Sequence, residues 1–283
     1  MKIIYHKGCA DGFCAAFILN KIYPNADLFP VQYGDSVDPL FDHTGKHCID
    51  GEDVIIADFS FNRDIMLAIK YAAKSVICYD HHKTAEKELE GLDFCIFDMK
   101  KSGARLVYEH EWIPTTSRLW TYDTHIDFLV SYTEDRDLWR WQLPESKAMS
   151  AAIASFPFDF KIWDKFNEGD LRRDGNAILR YQQQVIDRAV FNAQKINILG
   201  KTIKAVSPTA LVSEIGGKLA EDSPFGLTYS ISEDGIDFSL RSRGEDGEDV
   251  SEIAKHFGGG GHRNAAGFKL NFEKAISLIT NGI

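Results

Sequence analysis

Short β-branched apolar runs alternate with stretches of helical periodicity through the first hundred residues. Residues 2–5 (K-I-I-Y) predict a strand and 11–22 a helix. Further strands are expected at 27–33, 53–57 (D-V-I-I-A), 75–79 (S-V-I-C-Y) and 94–97, with helices at 63–73 and 102–112, the last capped by Ser102. Strand–helix alternation of this kind implies a parallel sheet with helices on both faces, an α/β fold.

From about Thr116 to Gln194 the pattern is mostly helical. Ile178, Tyr181, Val185, Ala189 and Phe191 approximate one apolar helix face, so this helix reads as a connector. The last stretch changes character. Residues 225–232 and 236–242 predict two strands around a turn at 233–235. A helix at 248–257, a glycine run and a final strand near 266–270 follow. The expected organisation is a domain over 1–175, a connector helix over 176–196 and a smaller α+β domain over 197–283. No internal repeat or low-complexity tract interrupts it.

Composition narrows the setting. Of 283 residues, 44% are hydrophobic and 26% charged, as in an ordinary soluble domain. No apolar run reaches the ~18 residues of a membrane span, and the first residues turn polar too early for a signal peptide. Cys9, Cys14, Cys48, Cys78 and Cys95 are odd in number and form no C-x-x-C pair. They read as reduced cysteines of a cytoplasmic protein, with no membrane partner and no structural zinc site. A formal net charge of −10 makes a poor duplex-DNA binder. It leaves room for a small phosphorylated ligand.

The polar residues then fall in one structural place. His6 follows the first strand and Asp11 opens the next helix. Asp58 ends the strand 53–57, and Asp80-His81-His82 ends the strand 75–79. Ligands of open parallel sheets bind beyond the carboxyl ends of the strands, so three strands deliver carboxylates and imidazoles to one edge. These groups suit manganese or a similar divalent ion. A carboxylate such as Asp58 can bridge two ions ~3.5–4 Å apart, a pair that stabilises both oxygens of a phosphoryl transfer.

The motifs carry a resemblance. Y-D80-H81-H82-K resembles the signature of the DHH phosphoesterase superfamily; H6-K-G-C-A-D11-G-F, V-I-I-A-D58 and Y-T-E-D135-R-D-L-W resemble its first, second and fourth motifs. F-G258-G-G-G-H262-R-N-A-A-G-F resembles the glycine–histidine motif of the associated C-terminal substrate domain. The chain looks most similar to the branch of nano-RNases and cyclic-nucleotide phosphodiesterases. The resemblance implies that Asp11, Asp58, His81 and Asp135 hold one metal ion, and that His6 and Asp58 belong to a second. It places His82 at the scissile phosphate and makes Asp80 a partner that orients an imidazole. The implied cofactor is Mn2+, or Mg2+ or Co2+, one or two ions per chain. One departure stands out: the family's first motif carries two aspartates spaced by one residue, and the earlier falls on Cys9. A thiolate there would prefer softer ions, which weakens the expectation of a full two-metal site.

Other residues keep two readings. Asp135 is favoured over Asp137 as the ligand from T-E-D-R-D-L-W, whose plain reading is a solvated charge run. Trp139 and Trp141 are expected to pack between domains, with base stacking as the alternative. Ser102 and Gly103 read as a helix cap, with a backbone phosphate contact as the alternative. Gly259, Gly260 and Gly261 would let backbone N–H groups approach a phosphate, and His262 and Arg263 add donors. Arg241, in S-L-R-S, matches the family's substrate strand, and guanidinium suits bidentate phosphate contacts.

The expected function is hydrolysis of an RNA dinucleotide or short oligonucleotide by a metal-activated water, with Asp58 and His82 as catalytic residues. The expected partner is a short RNA or small nucleotide, not duplex DNA, and the expected assembly, if any, is a homodimer. Alternatives are a cyclic mono- or dinucleotide phosphodiesterase or a 3′-phosphoadenosine-type phosphatase. From another class stands a non-catalytic nucleotide-binding protein with a decayed site, supported by the Cys9 departure.

Overall fold

The computed structural model describes residues 1–113, 115, 123–244 and 246–282. The chain divides into two units, Met1–Ile178 and Leu179–Ile283, and the division falls inside the 24-residue helix Glu168–Phe191.

In the first unit, strands β1 (Lys2–His6), β2 (Asp27–Val31), β3 (Asp53–Ala57), β4 (Ser75–Asp80) and β5 (Cys95–Phe97) form one all-parallel sheet in the order β2-β1-β3-β4-β5. Side chains alternate across it, as the two-residue strand period requires. Ile3, Ile55, Ala57 and Tyr79 enter one apolar cluster; Ile4, Val54, Ile56, Val76 and Cys78 enter the other. Both faces are therefore buried, which explains the near-continuous apolar runs. Helix α1 (Ala10–Ile22) contributes Phe13, Phe17 and Ile18 to the first cluster, and α3 (Arg63–Ala72) contributes Met66 and Ile69 to the second. A short α2 (Asp38–Phe41) precedes β3, and α4 (Lys83–Glu88) follows β4. The order reverses direction between β1 and β3, and a crevice opens at such a switch point.

Helix α5 (Gly103–Val107) continues into a π-helical turn, Tyr108–Trp112. Ser102 caps it, its hydroxyl accepting from Arg105 N at 3.2 Å. Helices α6 (Thr124–Asp137), α7 (Ser146–Ala154), α8 (Phe160–Trp163) and α9 (Glu168–Phe191) complete the helical stretch. The part of that expectation at 116–122 lies outside the described residues.

The second unit holds a six-stranded mixed sheet in the order β10-β11-β9-β8-β7-β6. Its strands are β6 (Gln194–Ile198), β7 (Lys201–Val206), β8 (Gly226–Ser232), β9 (Gly235–Arg241), β10 (Gly260–His262) and β11 (Ala265–Leu270). Ile236, Phe238 and Leu240 of β9 and Ala266 and Phe268 of β11 form the core with α11 (Val250–His256) and α12 (Phe272–Asn281). Helix α10 (Val212–Leu219) stands between β7 and β8.

Three strands (β6, β7 and β10) and two helices (α10 and α12) here escape the sequence pattern. The helical reading up to Gln194 stops at Phe191, because Gln194–Ile198 turns back on Lys201–Val206 through Leu199 and Gly200. Both turn residues are left-handed (φ 48° and 75°), the geometry of a two-residue hairpin. Leucine in that position hides the turn, since Asn or Asp is its usual marker. Among the described residues no helix is long and apolar enough to cross a membrane.

Candidate metal centre

The ends of β1, β3 and β4 carry His6, Asp58 and Asp80 to one edge of the sheet, around its switch point. Asp58 leaves β3 in the left-handed region (φ 56°), and its N–H donates to Tyr79 O at 2.8 Å. An aspartate tolerates that backbone better than a bulky residue. The hook turns its carboxylate so that the two oxygens face different partners. Oδ2 lies 3.2 Å from Cys9 Sγ and 3.4 Å from His6 Nδ1. Oδ1 lies 3.2 Å from His81 Nε2, which in turn lies 3.5 Å from Asp137 Oδ2 and 3.8 Å from Asp11 Oδ2. Three sets of three ligand atoms result: His6, Cys9 and Asp58; Asp58, His81 and His82; Asp11, His81 and Asp137.

Each member is held from behind. The buried carboxylate of Asp11 accepts from Gly103 N at 2.6 Å and Ala104 N at 3.0 Å, the free donors at the start of α5. That helix can approach because residue 103 is glycine: a Cβ there would sit 2.5 Å from the Asp58 Cβ. Gly12 serves likewise, since a Cβ would meet His6 O at 2.2 Å. Cys9 caps α1, its sulfur accepting from Gly12 N at 3.3 Å. Asp80 is fully buried and takes four contacts: Ser60 Oγ (2.7 Å), His81 N (2.7 Å), His82 N (3.1 Å) and His82 Nδ1 (2.6 Å). With Nδ1 engaged, the ring of His82 has Nε2 left for other contacts.

The electrostatics are those of a crowded anion cluster. Burial, then the nearby Asp58 and Asp137, push the Asp11 carboxyl well above the usual range, despite its backbone donors. Burial raises Asp137 as well. Asp58 goes the other way: burial opposes ionisation, but His6 and His81 outweigh it and hold the carboxyl below the ordinary range. His81 is raised by Asp58 and Asp137 against the pull of burial, and His82 chiefly by its bond to Asp80. Burial and the Asp58 charge push the Cys9 thiol up. Among the described residues, the ion-pair partners of Asp11, Asp58 and Asp137 are imidazoles only. Asp58 Oδ1 is buried, and the His81 Nε2 at 3.2 Å is too poorly aligned to make it a full hydrogen bond, which leaves the oxygen without a well-directed donor among the described residues. A buried carboxylate oxygen without a well-directed donor, shared between two ligand sets, fits a divalent cation: it supplies the missing charge and takes imidazole and carboxylate ligands.

Asp135 and Asp137 part company. The buried Asp135 accepts from Gln142 N at 3.0 Å and Leu143 N at 3.3 Å, holding the chain after α6, and it stands in none of the three ligand sets. Asp137, two residues on, faces His81 instead. Cys9, which the resemblance treats as a loss, sits inside the cluster. The choice of Asp137 over Asp135 is not legible locally, because both aspartates belong to one charged run. Ser102 caps α5, and the N–H groups beside it go to Asp11. Trp139 and Trp141 pack edge to face at 5.0 Å, with the Arg136 guanidinium over both rings at 4.5 and 5.5 Å.

The expected ligand-holding residues of the second unit gather at one end of its sheet. Arg241, Ala265 and His262 are cross-strand neighbours on β9, β11 and β10. Directly opposed residues point to one face, so Arg241 and His262 share it. The Arg241 guanidinium is held by Ser239 Oγ (3.0 Å), Leu240 O (2.8 Å) and Ser213 Oγ (2.9 Å). The second half of the glycine run, Gly260 and Gly261, enters the edge strand β10, while Gly258 and Gly259 form the turn that leads into it. A Cβ on Gly259 would meet Gly267 O at 2.1 Å, and one on Gly261 the Ala266 Cα at 2.5 Å, while Gly260 faces open space. Arg263 turns onto the preceding loop, donating to Gly247 O at 3.0 Å and lying 3.6 Å from Asp249.

No family model matches the sequence. The fold is similar to that of a Vibrio cholerae protein described as the pGpG-specific phosphodiesterase PggH, with a TM-score of 0.53 and 14% identity over 98% of this chain and 95% of that one. A structure of an uncharacterized protein from Helicobacter pylori G27 aligns with a TM-score of 0.48 and 16% identity, covering 98% of this chain and 97% of that one. Among curated sequences, an alignment of 304 residues to the "Uncharacterized protein R106" of Acanthamoeba polyphaga mimivirus is 30% identical and covers 95% of this chain and 67% of that protein. At that identity and coverage, the chain belongs to the same family as this mimivirus protein.

Proposed function

We propose that this protein is a divalent-cation-dependent phosphodiesterase of the DHH type that hydrolyses short linear nucleotides, RNA dinucleotides first among them. The observation that carries the reading is Asp58, whose Oδ2 faces His6 and Cys9 while Oδ1 faces His81. A carboxylate so divided is placed to join two cation sites, and phosphoryl transfer is the chemistry such pairs serve. Asp11, His81 and Asp137 complete one site; His6 and Cys9 complete the other. Bound there, the cations would supply Lewis-acid charge to the phosphoryl oxygens and lower the pKa of a coordinated water.

The chain's own residues do the rest. Asp80 fixes the His82 ring and keeps it cationic to higher pH, so its Nε2 is suited to donate to a phosphoryl oxygen. The buried Phe59 ring lies against His6, with the exposed Tyr33 ring on its other contact, beside the cluster. Arg241 and His262 share one sheet face of the second unit and offer donors suited to a phosphate. The dinucleotide is the first candidate because the fold neighbour from Vibrio cholerae is described as acting on pGpG.

The test is a turnover panel with the purified chain and Mn2+: pGpG, pApA, longer short RNAs, cyclic AMP, cyclic di-AMP and 3′-phosphoadenosine 5′-phosphate, with Asp58→Ala as control. Cleavage of the linear dinucleotides, lost in the control, is expected. Preference for a cyclic or monoester ligand would keep the chemistry and replace the substrate. No turnover in any divalent metal would overturn the enzyme reading in favour of a nucleotide-binding protein.

A further inference from the structure

The two sides of Asp58 offer different chemistry. The His81 side presents carboxylates and imidazole. The His6 side presents one imidazole, one sulfur and one carboxylate oxygen, and these three atoms form a small triangle. Cys9 Sγ lies 3.5 Å from His6 Nδ1 and 3.2 Å from Asp58 Oδ2, and His6 Nδ1 lies 3.4 Å from Asp58 Oδ2.

That triangle is nearer in size to a tetrahedral face than to an octahedral one. A cation about 2.0–2.1 Å from N and O and about 2.3 Å from S would separate these corners by about 3.3–3.6 Å in tetrahedral geometry. An octahedron with the same bond lengths would need about 2.9–3.1 Å. Two edges match the tetrahedral values, 3.5 Å from sulfur to nitrogen and 3.4 Å from nitrogen to oxygen, while the 3.2 Å sulfur–oxygen edge falls between the two geometries, nearer the octahedral one. The main chain supports the arrangement: Cys9 is fixed as the α1 cap, and Asp58 is only 2% exposed, with its other oxygen lacking a well-directed donor among the described residues.

From this geometry we infer that His6, Cys9 and Asp58 form a thiolate-containing cation site, selective for a thiophilic metal such as Zn2+ and distinct in preference from the oxygen-rich His81 side. Sulfur ligation selects softer ions, whereas carboxylate-rich sites suit Mn2+ or Mg2+. Cys9 is then a working ligand, and the centre pairs two unlike metals. Three protein ligands leave a fourth position open, the arrangement of a reactive rather than a structural zinc site. Coordination forms the sulfur–metal bond as the thiol loses its proton to solvent. This inference rests on the proposed function for its biological sense, but its evidence is separate.

The experiment uses the cation-free full chain and Co2+ as the spectroscopic probe. Wild type is expected to develop the near-ultraviolet thiolate-to-cobalt charge-transfer band, saturating at one thiolate-bound cobalt per chain. Cys9→Ser should lose the band. Cys9→Asp, which supplies an oxygen at the same position, should bind without the band and shift the Zn2+-to-Mn2+ affinity ratio toward Mn2+, because removing the sulfur removes the preference for the softer ion. Iodoacetamide labelling followed by peptide mass gives a second reading: Zn2+ should protect Cys9 and leave Cys48 labelled. Cobalt bound to wild type without the band, an unchanged band in Cys9→Ser, or labelling of Cys9 indifferent to Zn2+ would overturn the site. Turnover with Mn2+ alone is read apart from all three, so loss of this inference and loss of the phosphodiesterase reading are distinguishable.

Discussion

Gly103 lies so close to Asp58 that a single added Cβ would stand 2.5 Å from the Asp58 Cβ and 2.7 Å from its Cα. The contact presses the start of α5 against the hooked end of β3, and the same helix start donates two N–H groups to Asp11. One small residue thereby sets the spacing of two acidic groups that are 47 positions apart in the chain.

Gly103→Ala is therefore expected to cost about 1–3 kcal/mol of stability, the range for overpacking a tight interior. It should also lower cation affinity, because relief of the clash moves either Asp58 or the donors of Asp11. Urea unfolding and Mn2+ titration of the same variant measure both. A variant that is as stable and binds as tightly as wild type would show that this spacing is not enforced.

The two aspartates of the T-E-D-R-D run should separate by phenotype. Asp137→Asn is expected to weaken Mn2+ binding with little change in unfolding. Asp135→Ala removes the carboxylate that accepts from Gln142 N and Leu143 N and should cost about 1–3 kcal/mol, the range for lost hydrogen bonds to a charged group. Calorimetric metal titration beside denaturant unfolding distinguishes them, and the reverse assignment of effects would restore Asp135 as the ligand.

His82 makes a prediction about pH. Its folded pKa is raised above the ordinary 6.5, first by the bond to Asp80. The protonated pair therefore stabilises the fold fully below the ordinary histidine pKa, and the contribution fades as pH rises through the higher folded value. In the cation-free protein, the stability gap between wild type and His82→Ala should be widest in mild acid and narrow on the alkaline side. A gap that widens with pH would contradict the pairing.

The glycine run is expected to split by position. Gly259→Ala and Gly261→Ala drive a Cβ into β11 and should destabilise the second unit, whereas Gly260→Ala meets nothing within 4 Å. Gly260→Ala should stay within about 0.5 kcal/mol of wild type, as open sites do. If it nonetheless raises KM for a dinucleotide with kcat unchanged, the edge strand contacts the ligand. If all three variants are equally tolerated, the packing role is wrong.

Much of the centre was legible along the chain. His6, Asp58 and Asp80 each stand where an apolar run gives way, and a run with strand periodicity ends locally, so their shared edge follows from the parallel arrangement alone. Ser102 was legible as a cap because capping is a contact between near neighbours. The hairpin of β6 and β7 was not, since leucine occupies a left-handed position that carries no local mark.

The sequence by itself determined the five strands of the first unit, the main helices that cover them and the ring of acids and imidazoles at their ends, because periodicity and turn chemistry are local. Tertiary structure alone decided which of those groups meet. Two residues apart on a helix are about 200° apart around its axis, so only the packing of α6 could send Asp137 toward His81 and Asp135 toward the following loop. Packing likewise turned Cys9 from a missing aspartate into a sulfur 3.2 Å from Asp58. Distances between groups far apart in the chain are set by the core that lies between them, and no local pattern encodes them.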